Sequence, residues 1–290
     1  MTSHLISIDG LGILAPRYDA LICDVWGVVH NGVRAYAEAC AALARFRSER
    51  GPVLMLSNAP RPAPSVAAQF KTLGVPDGTC DAILTSGDAT RADLEHRASE
   101  RPGLRLWHLG PPRDRPVLDG LAIASVGMDE AEAILCTGLF DDETETPADY
   151  HARLKDCAGR KLPFICANPD ILVERGPRLI YCAGALARDY AAMGGEVTYW
   201  GKPHLPVYGM ALARLAALAG RQIASSRILC IGDGLKTDIK GANAAGLDAL
   251  LILEGVHAGD LGGGHDPVLI EAALAREHAT ARAYMPRLRW

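Results

Sequence analysis

Long apolar runs are missing from this 290-residue sequence, and none approaches the roughly 20 residues that a bilayer span requires. The amino terminus, MTSHLISIDGLG, has no basic head, no long apolar stretch and no small-residue cleavage site. These absences predict a cytoplasmic protein without membrane contact. An excess of basic residues is missing too. The net charge of -4 argues against nucleic acid as the main partner, because a phosphate backbone selects basic surfaces. Eight cysteines are present, yet none forms a C-x-x-C pair, and Cys23, Cys136, Cys166 and Cys230 sit in apolar runs. They read as core thiols in a reducing compartment rather than zinc ligands or disulfides. There is no internal repeat and no low-complexity tract.

What remains is an ordinary globular composition on a chain long enough for one large domain or two modest ones. Strand-like runs alternate with helical patterns at both ends. ALICDVW (20–26) precedes a helical YAEACAALARFRSER (36–50), and PVLMLSN (52–58) precedes a helix ended by Gly74. EVTYW (196–200) precedes PVYGMALARLAALAG, and RILCIGD (227–233) precedes a helix near 236–245 and the strand DALLIL (248–253). Short apolar strands separated by single helices predict an α/β fold with a parallel sheet covered on both faces. The middle differs. It holds the helix DATRADLEHRAS, the Pro- and Arg-rich LGPPRDRP, the acidic turn FDDETETP, and strand-like LRLWHL, EAILC and LPFICAN. The expected division is a main unit of residues 1–85 and 194–290, with a smaller α/β unit, 86–193, inserted into it. The basic, aromatic tail EHATARAYMPRLRW reads as a final helix or a contact arm.

Four places at expected strand ends carry chemistry, since open parallel sheets bind ligands there. Asp24 ends the first strand, as nucleophile, metal ligand or both. Ser57 and Asn58 end PVLMLSN, where a hydroxyl and backbone N–H groups suit phosphate oxygens. Lys202 in YWGKPH supplies a cation. IGDGLKTD places Asp233 at a strand end and Asp238 in the helical turn beyond it, a pair suited to Mg²⁺. Singly, each has a plain alternative: a helix cap, a turn, a solvated lysine. All four in this order make the joint coincidence improbable.

The segments DVWGVVHNG, LSNAPRP, NPD (168–170), AGAL (183–186), GKPH and GDGLKTDIKGANAAG follow the motif order of the haloacid dehalogenase-like (HAD) hydrolases. The sequence resembles their class IIA, the sugar, p-nitrophenyl, phosphoglycolate and pyridoxal phosphatases with an α/β cap inserted between the second and third motifs. The resemblance implies a Rossmann-like parallel-sheet core with a smaller α/β cap. It implies Asp24 as nucleophile, Ser57, Asn58 and Lys202 on the phosphate, and Mg²⁺ held by Asp24, Asp233 and the backbone carbonyl of Trp26, with Asp238 in support. Asn168 and Asp170 match the cap's NPD loop, and the following VERGPRL offers Glu174, Arg175 and Arg178 to a substrate, with a solvated loop as the alternative.

One position departs from that pattern. The family's phosphatases carry a second Asp two residues after the nucleophile, to protonate the leaving oxygen and then activate water; here Trp26 stands there and can do neither. General acid–base help is worth about 10²–10⁴-fold. His30, on the same loop, is a candidate proton shuttle, with loop packing as the alternative. The expected function is a Mg²⁺-dependent phosphatase of a small phosphorylated, sugar phosphate-like metabolite, acting through an aspartyl-phosphate and slowed by the missing acid. The alternatives are a catalytically weak metal- and phosphate-binding regulatory protein, or a halide- or phosphonate-cleaving relative. A homodimer is left open.

Overall fold

The computed structural model describes residues 5–175, 178–255 and 266–290. Among them, seven strands form one sheet in the order β1 (Ile6–Ser7), β14 (Ala283–Met285), β13 (Asp248–Ile252), β12 (Ile228–Gly232), β2 (Ala20–Cys23), β3 (Val53–Ser57), β4 (Ala82–Thr85). Every neighbouring pair is parallel. The runs ALIC, VLMLS and ILCIG are buried at every residue because both faces are covered. The two-residue period of a strand divides them between the faces. Leu21, Cys23, Val53, Met55, Leu229 and Ile231 point to one side, where α1 (Ala37–Glu49) and α2 (Ala63–Leu73) pack. Ala20, Ile22, Leu54, Leu56, Ile228 and Cys230 point to the other, against α6 (Leu205–Ala219), α7 (Lys240–Ala244) and α8 (Pro267–Arg276).

The chain moves outward from β2 to β3 and β4 on one side, and from β12 to β13 on the other. The order therefore reverses between β2 and β12, which is where an open α/β sheet forms its ligand crevice.

A second sheet has the order β11 (Val197–Tyr199), β8 (Phe164–Cys166), β7 (Ala133–Cys136), β5 (Leu104–Leu109), β6 (Ile123–Ser125), again all parallel. The helices α4 (His151–Gly159) and α5 (Ala183–Ala192) cover one face, and α3 (Ser86–Glu100) reaches the other through Leu94. A separate antiparallel pair, β9 (Leu172–Arg175) with β10 (Arg178–Tyr181), falls between β8 and α5 in the chain. Together these bear out a parallel-sheet α/β fold.

Three elements differ from the sequence reading. EVTYW, read as a strand of the main sheet, is the edge of the second sheet through β11, which therefore runs on to Tyr199 rather than stopping at 193. A three-residue strand before a helix looks the same in sequence whichever sheet it joins. The tail contributes neither a helix nor an arm: β14 inserts between β1 and β13. The cysteines are free thiols, and all but Cys80 are buried.

Candidate active site

β2 and β12 are neighbours, with Cys23 paired to Ile231, and the next backbone N–H, that of Asp24, donates to Ile231 O at 2.8 Å. The residues that end these strands, Asp24 and Asp233, consequently emerge side by side. A π-helical turn at Leu235–Ile239 brings Asp238 back toward them, and oxygen atoms of the three carboxylates lie within 4.8 Å of one another. Asp238 also caps this turn, its Oδ2 accepting from Gly234 N–H at 3.0 Å.

Lys202 is the cation of the group. Its Nζ lies 2.5 Å from Asp24 Oδ1 and 2.6 Å from Asp238 Oδ1, and all three side chains are almost fully buried. Burial works against the ammonium, but Asp238 and Asp24 outweigh it and hold Lys202 well above its ordinary range. Burial and then Asp238 push the Asp24 carboxyl above the usual carboxylate range, and Lys202 pulls it back. Among the described residues the Lys202 ammonium meets two of the three carboxylates, Asp24 and Asp238. An all-oxygen set of three clustered carboxylates fits a hard divalent cation such as Mg²⁺; the described residues thus fit the metal that the sequence suggests.

Lys202 does not come from a strand end of the main sheet. It follows β11 through Gly201, whose backbone, at φ +118°, passes so close to Asn58, Ser86 and Pro169 that a Cβ would stand 2.6–2.9 Å from their atoms. The Asn58 side chain then fixes Lys202: Oδ1 accepts from Lys202 N–H at 2.8 Å, and Nδ2 donates to Lys202 O at 3.1 Å and to Asp170 Oδ1 at 2.8 Å. Asn58 thus braces the lysine and the NPD loop, a different task for its side chain from the phosphate contact expected of it. Asn168 stabilises that loop by accepting from Asp170 N–H at 3.0 Å. Ser57 Oγ accepts from Ala59 N–H at 3.1 Å at the end of β3.

These residues open into a cavity of about 690 Å³ lying between the two sheets, lined by Asp24, Trp26, Ser57, Lys202, Asp233 and Asp238 at one end.

Residues 21–124 match the family described as haloacid dehalogenase-like hydrolase, and residues 199–275 one described as HAD-hydrolase-like. A solved hydrolase of the haloacid dehalogenase-like family from Brucella suis 1330 is 47% identical, covers 97% of this chain and 99% of its own, and gives a TM-score of 0.86. The chain belongs to the haloacid dehalogenase-like hydrolase family. Another relative of this HAD chain is the D-glycerol 3-phosphate phosphatase of Mycobacterium tuberculosis, 29% identical over 265 residues. That match takes in 84% of this chain but 65% of the relative, just under two thirds of its length. A solved glycerol phosphate phosphatase from Mycobacterium tuberculosis, in complex with calcium, is 27% identical, with a TM-score of 0.63 over 84% of this chain and 68% of its own.

Two further site expectations for this HAD hydrolase change. His30 is fully buried and does not line the cavity. Its ring lies edge-on to Trp26 and Phe70, its Nδ1 accepts from Gly32 N–H at 3.0 Å, and its Nε2 has no partner among the described residues. Burial pushes it down to about 4, so it stays neutral. The proton-shuttle reading loses to packing. Arg175 lines the cavity but is paired, Nη2 with Asp142 at 3.0 Å and Nη1 with Glu143 at 2.5 Å. Arg178 also pairs with Glu143. The acidic turn grips the β9–β10 pair through these arginines; the Glu174 side chain lies outside the described residues.

Trp26 lines the cavity and packs over Gly32, where a Cβ would stand 2.5 Å from the indole. Sequence reasoning missed Arg61, Asp114 and Thr137, which line the cavity away from the carboxylates. Arg61 had a signal as the arginine of LSNAPRP, and Asp114 lies within LGPPRDRP, which reads as a loop.

Proposed function

We propose that this chain is a Mg²⁺-dependent phosphatase of small phosphate esters that works through an aspartyl-phosphate on Asp24. The observation that carries the reading is the meeting of Asp24, Asp233 and Asp238 within 4.8 Å, with Lys202 Nζ at 2.5 Å from Asp24. The names of the relatives support the reaction class.

Asp24 Oδ attacks phosphorus, the P–O bond to the alcohol breaks, and the alcohol oxygen leaves with a proton from water. Water then attacks the phosphorus of the acyl phosphate, releasing inorganic phosphate and restoring the carboxylate. Lys202 offsets charge on the nucleophile and on the phosphoryl oxygens, the kind of electrostatic positioning that phosphoryl transfer chiefly needs. Asp24, Asp233 and Asp238 would hold Mg²⁺, which when bound neutralises phosphoryl charge. The Trp26 indole N–H can donate a hydrogen bond but is far too weak an acid to transfer its proton, so good leaving groups such as acyl or aryl phosphates are favoured. Trp26 also favours a second reading, a protein that binds phosphate esters and barely turns them over.

Phosphate release from p-nitrophenyl phosphate, before and after chelation and with Mg²⁺ restored, tests the proposal. Metal-dependent turnover supports it. A thermal shift with phosphate esters and no turnover supports the binder.

A further inference from the structure

The Asp233 carboxylate is walled in by two glycine backbones from distant parts of the chain. On one side stands Gly27, where a Cβ would lie 2.2 Å from Asp233 Oδ2. On the other stands Gly255, where a Cβ would lie 1.8 Å from Oδ2, 2.4 Å from Cγ and 2.5 Å from Cβ of the same side chain. Among the described residues no other atom comes nearer to that position. Non-bonded carbon atoms settle at about 3.5–4.0 Å, so no side chain fits between Gly255 and Asp233.

The two glycines are needed for different reasons. Gly27 has φ +77°, a left-handed conformation that itself favours glycine. Gly255 lies outside that region, so its φ does not call for glycine; the contact with Asp233 does. Nor is its loop free to step aside. Gly255 follows β13, and the two residues before it are fastened to the segment that follows β14. Leu253 N–H donates to Met285 O at 3.0 Å and Glu254 N–H to Pro286 O at 2.9 Å, while the Glu254 carboxylate pairs with Arg287. A methyl at position 255 would therefore displace the Asp233 carboxylate, and Gly27 blocks its retreat. Lys202 orients Asp24 and Asp238 by charge, whereas these two backbones confine Asp233 by shape.

We propose that Gly255, held by the segment that follows β14, is a positioning residue for Asp233, its missing side chain keeping that carboxylate with Asp24 and Asp238 to receive a divalent cation. This rests on the metal-dependent reading above and extends it to a residue outside every motif that carries the family resemblance.

Mg²⁺ alone, titrated calorimetrically into the substrate-free protein, reads the effect without turnover. Gly255→Ala is expected to bind Mg²⁺ about ten- to a hundredfold more weakly than wild type, as other changes to the groups around a metal ligand do. Urea unfolding in chelator separates a contact with Asp233 from a general disturbance. Gly255→Ala should lower the urea midpoint, and lower it much less in an Asp233→Gly background, where the methyl has room. The effect of Gly→Ala on the unfolded chain is common to both backgrounds and cancels. Should Gly255→Ala fail to fold, recovery in the Asp233→Gly background supports the contact and failure there overturns it. Equal Mg²⁺ affinity of variant and wild type, or an equal midpoint drop in both backgrounds, overturns this inference alone. A wild-type protein that takes no Mg²⁺ overturns the metal reading and this inference with it.

Discussion

Asn58 holds Lys202 by both sides of its backbone, accepting from its N–H at 2.8 Å and donating to its carbonyl at 3.1 Å. The ammonium that meets Asp24 is therefore aimed by an amide from a different sheet. Asn58→Asp would set a carboxylate against the Lys202 carbonyl and Asp170, removing both donated bonds. Misplacing a catalytic group by about 1 Å costs about 10²-fold. A fall of that order in kcat/KM, with a retained circular dichroism spectrum, is expected; wild-type kinetics would show that Lys202 needs no brace.

Lys202 also neutralises its neighbours. Removing one member of a buried ion pair costs about 3–5 kcal/mol, because the charges left behind stay buried. Lys202→Met is expected to lower chemical stability by that order in chelator. Added Mg²⁺ should recover more stability in the variant than in wild type, since the ammonium that meets Asp24 and Asp238 is gone. Equal Mg²⁺ stabilisation of the two proteins would contradict this charge balance.

His30 supplies a pH dependence. Its pKa is about 4 in the fold against an ordinary 6.5, so below 6.5 the unfolded chain binds the proton that the folded chain refuses. Stability from this residue is complete above 6.5 and declines as pH falls toward 4, by roughly 2 kcal/mol between pH 7 and 5. His108, also lowered to about 4 by burial and then Arg115, acts in the same direction. His30→Phe should flatten, without abolishing, the loss of unfolding free energy across that range. An unchanged slope would show that His30 does not titrate there.

The sheet crevice was legible because buried parallel strands are unbroken apolar runs, so the first polar residue after ALIC and ILCIG marks the exit to the site. Asp24 and Asp233 follow from that alone. The origin of Lys202 does not, because VTY carries no sign of which sheet it extends. Arg61 and Asp114 meet across 53 positions between two loops, and loop contacts leave no period to read. The strand AYM in the tail was hidden by the basic residues around it. His30 misled because proximity in sequence to Asp24 says nothing about which way a ring points.

Trp26 stands where the resemblance calls for an acid. Trp26→Asp is expected to raise kcat on alkyl phosphates severalfold or more while changing p-nitrophenyl phosphate little, since general acid help matters most for poor leaving groups. The same change strips packing from His30 and Gly32 and should cost about 1–3 kcal/mol of stability. An equal gain on both substrates would mean that the indole limits access rather than proton supply.

Nucleophilic attack by Asp24 leaves a covalent trace. Wild-type protein mixed with p-nitrophenyl phosphate and Mg²⁺, quenched in acid within milliseconds and digested, should yield the peptide containing Asp24 with the added mass of one phosphoryl group. Asp24→Asn should yield none. A phosphate-releasing protein that never carries phosphate on Asp24, or one that still turns over as Asp24→Asn, would contradict nucleophilic attack by this carboxylate.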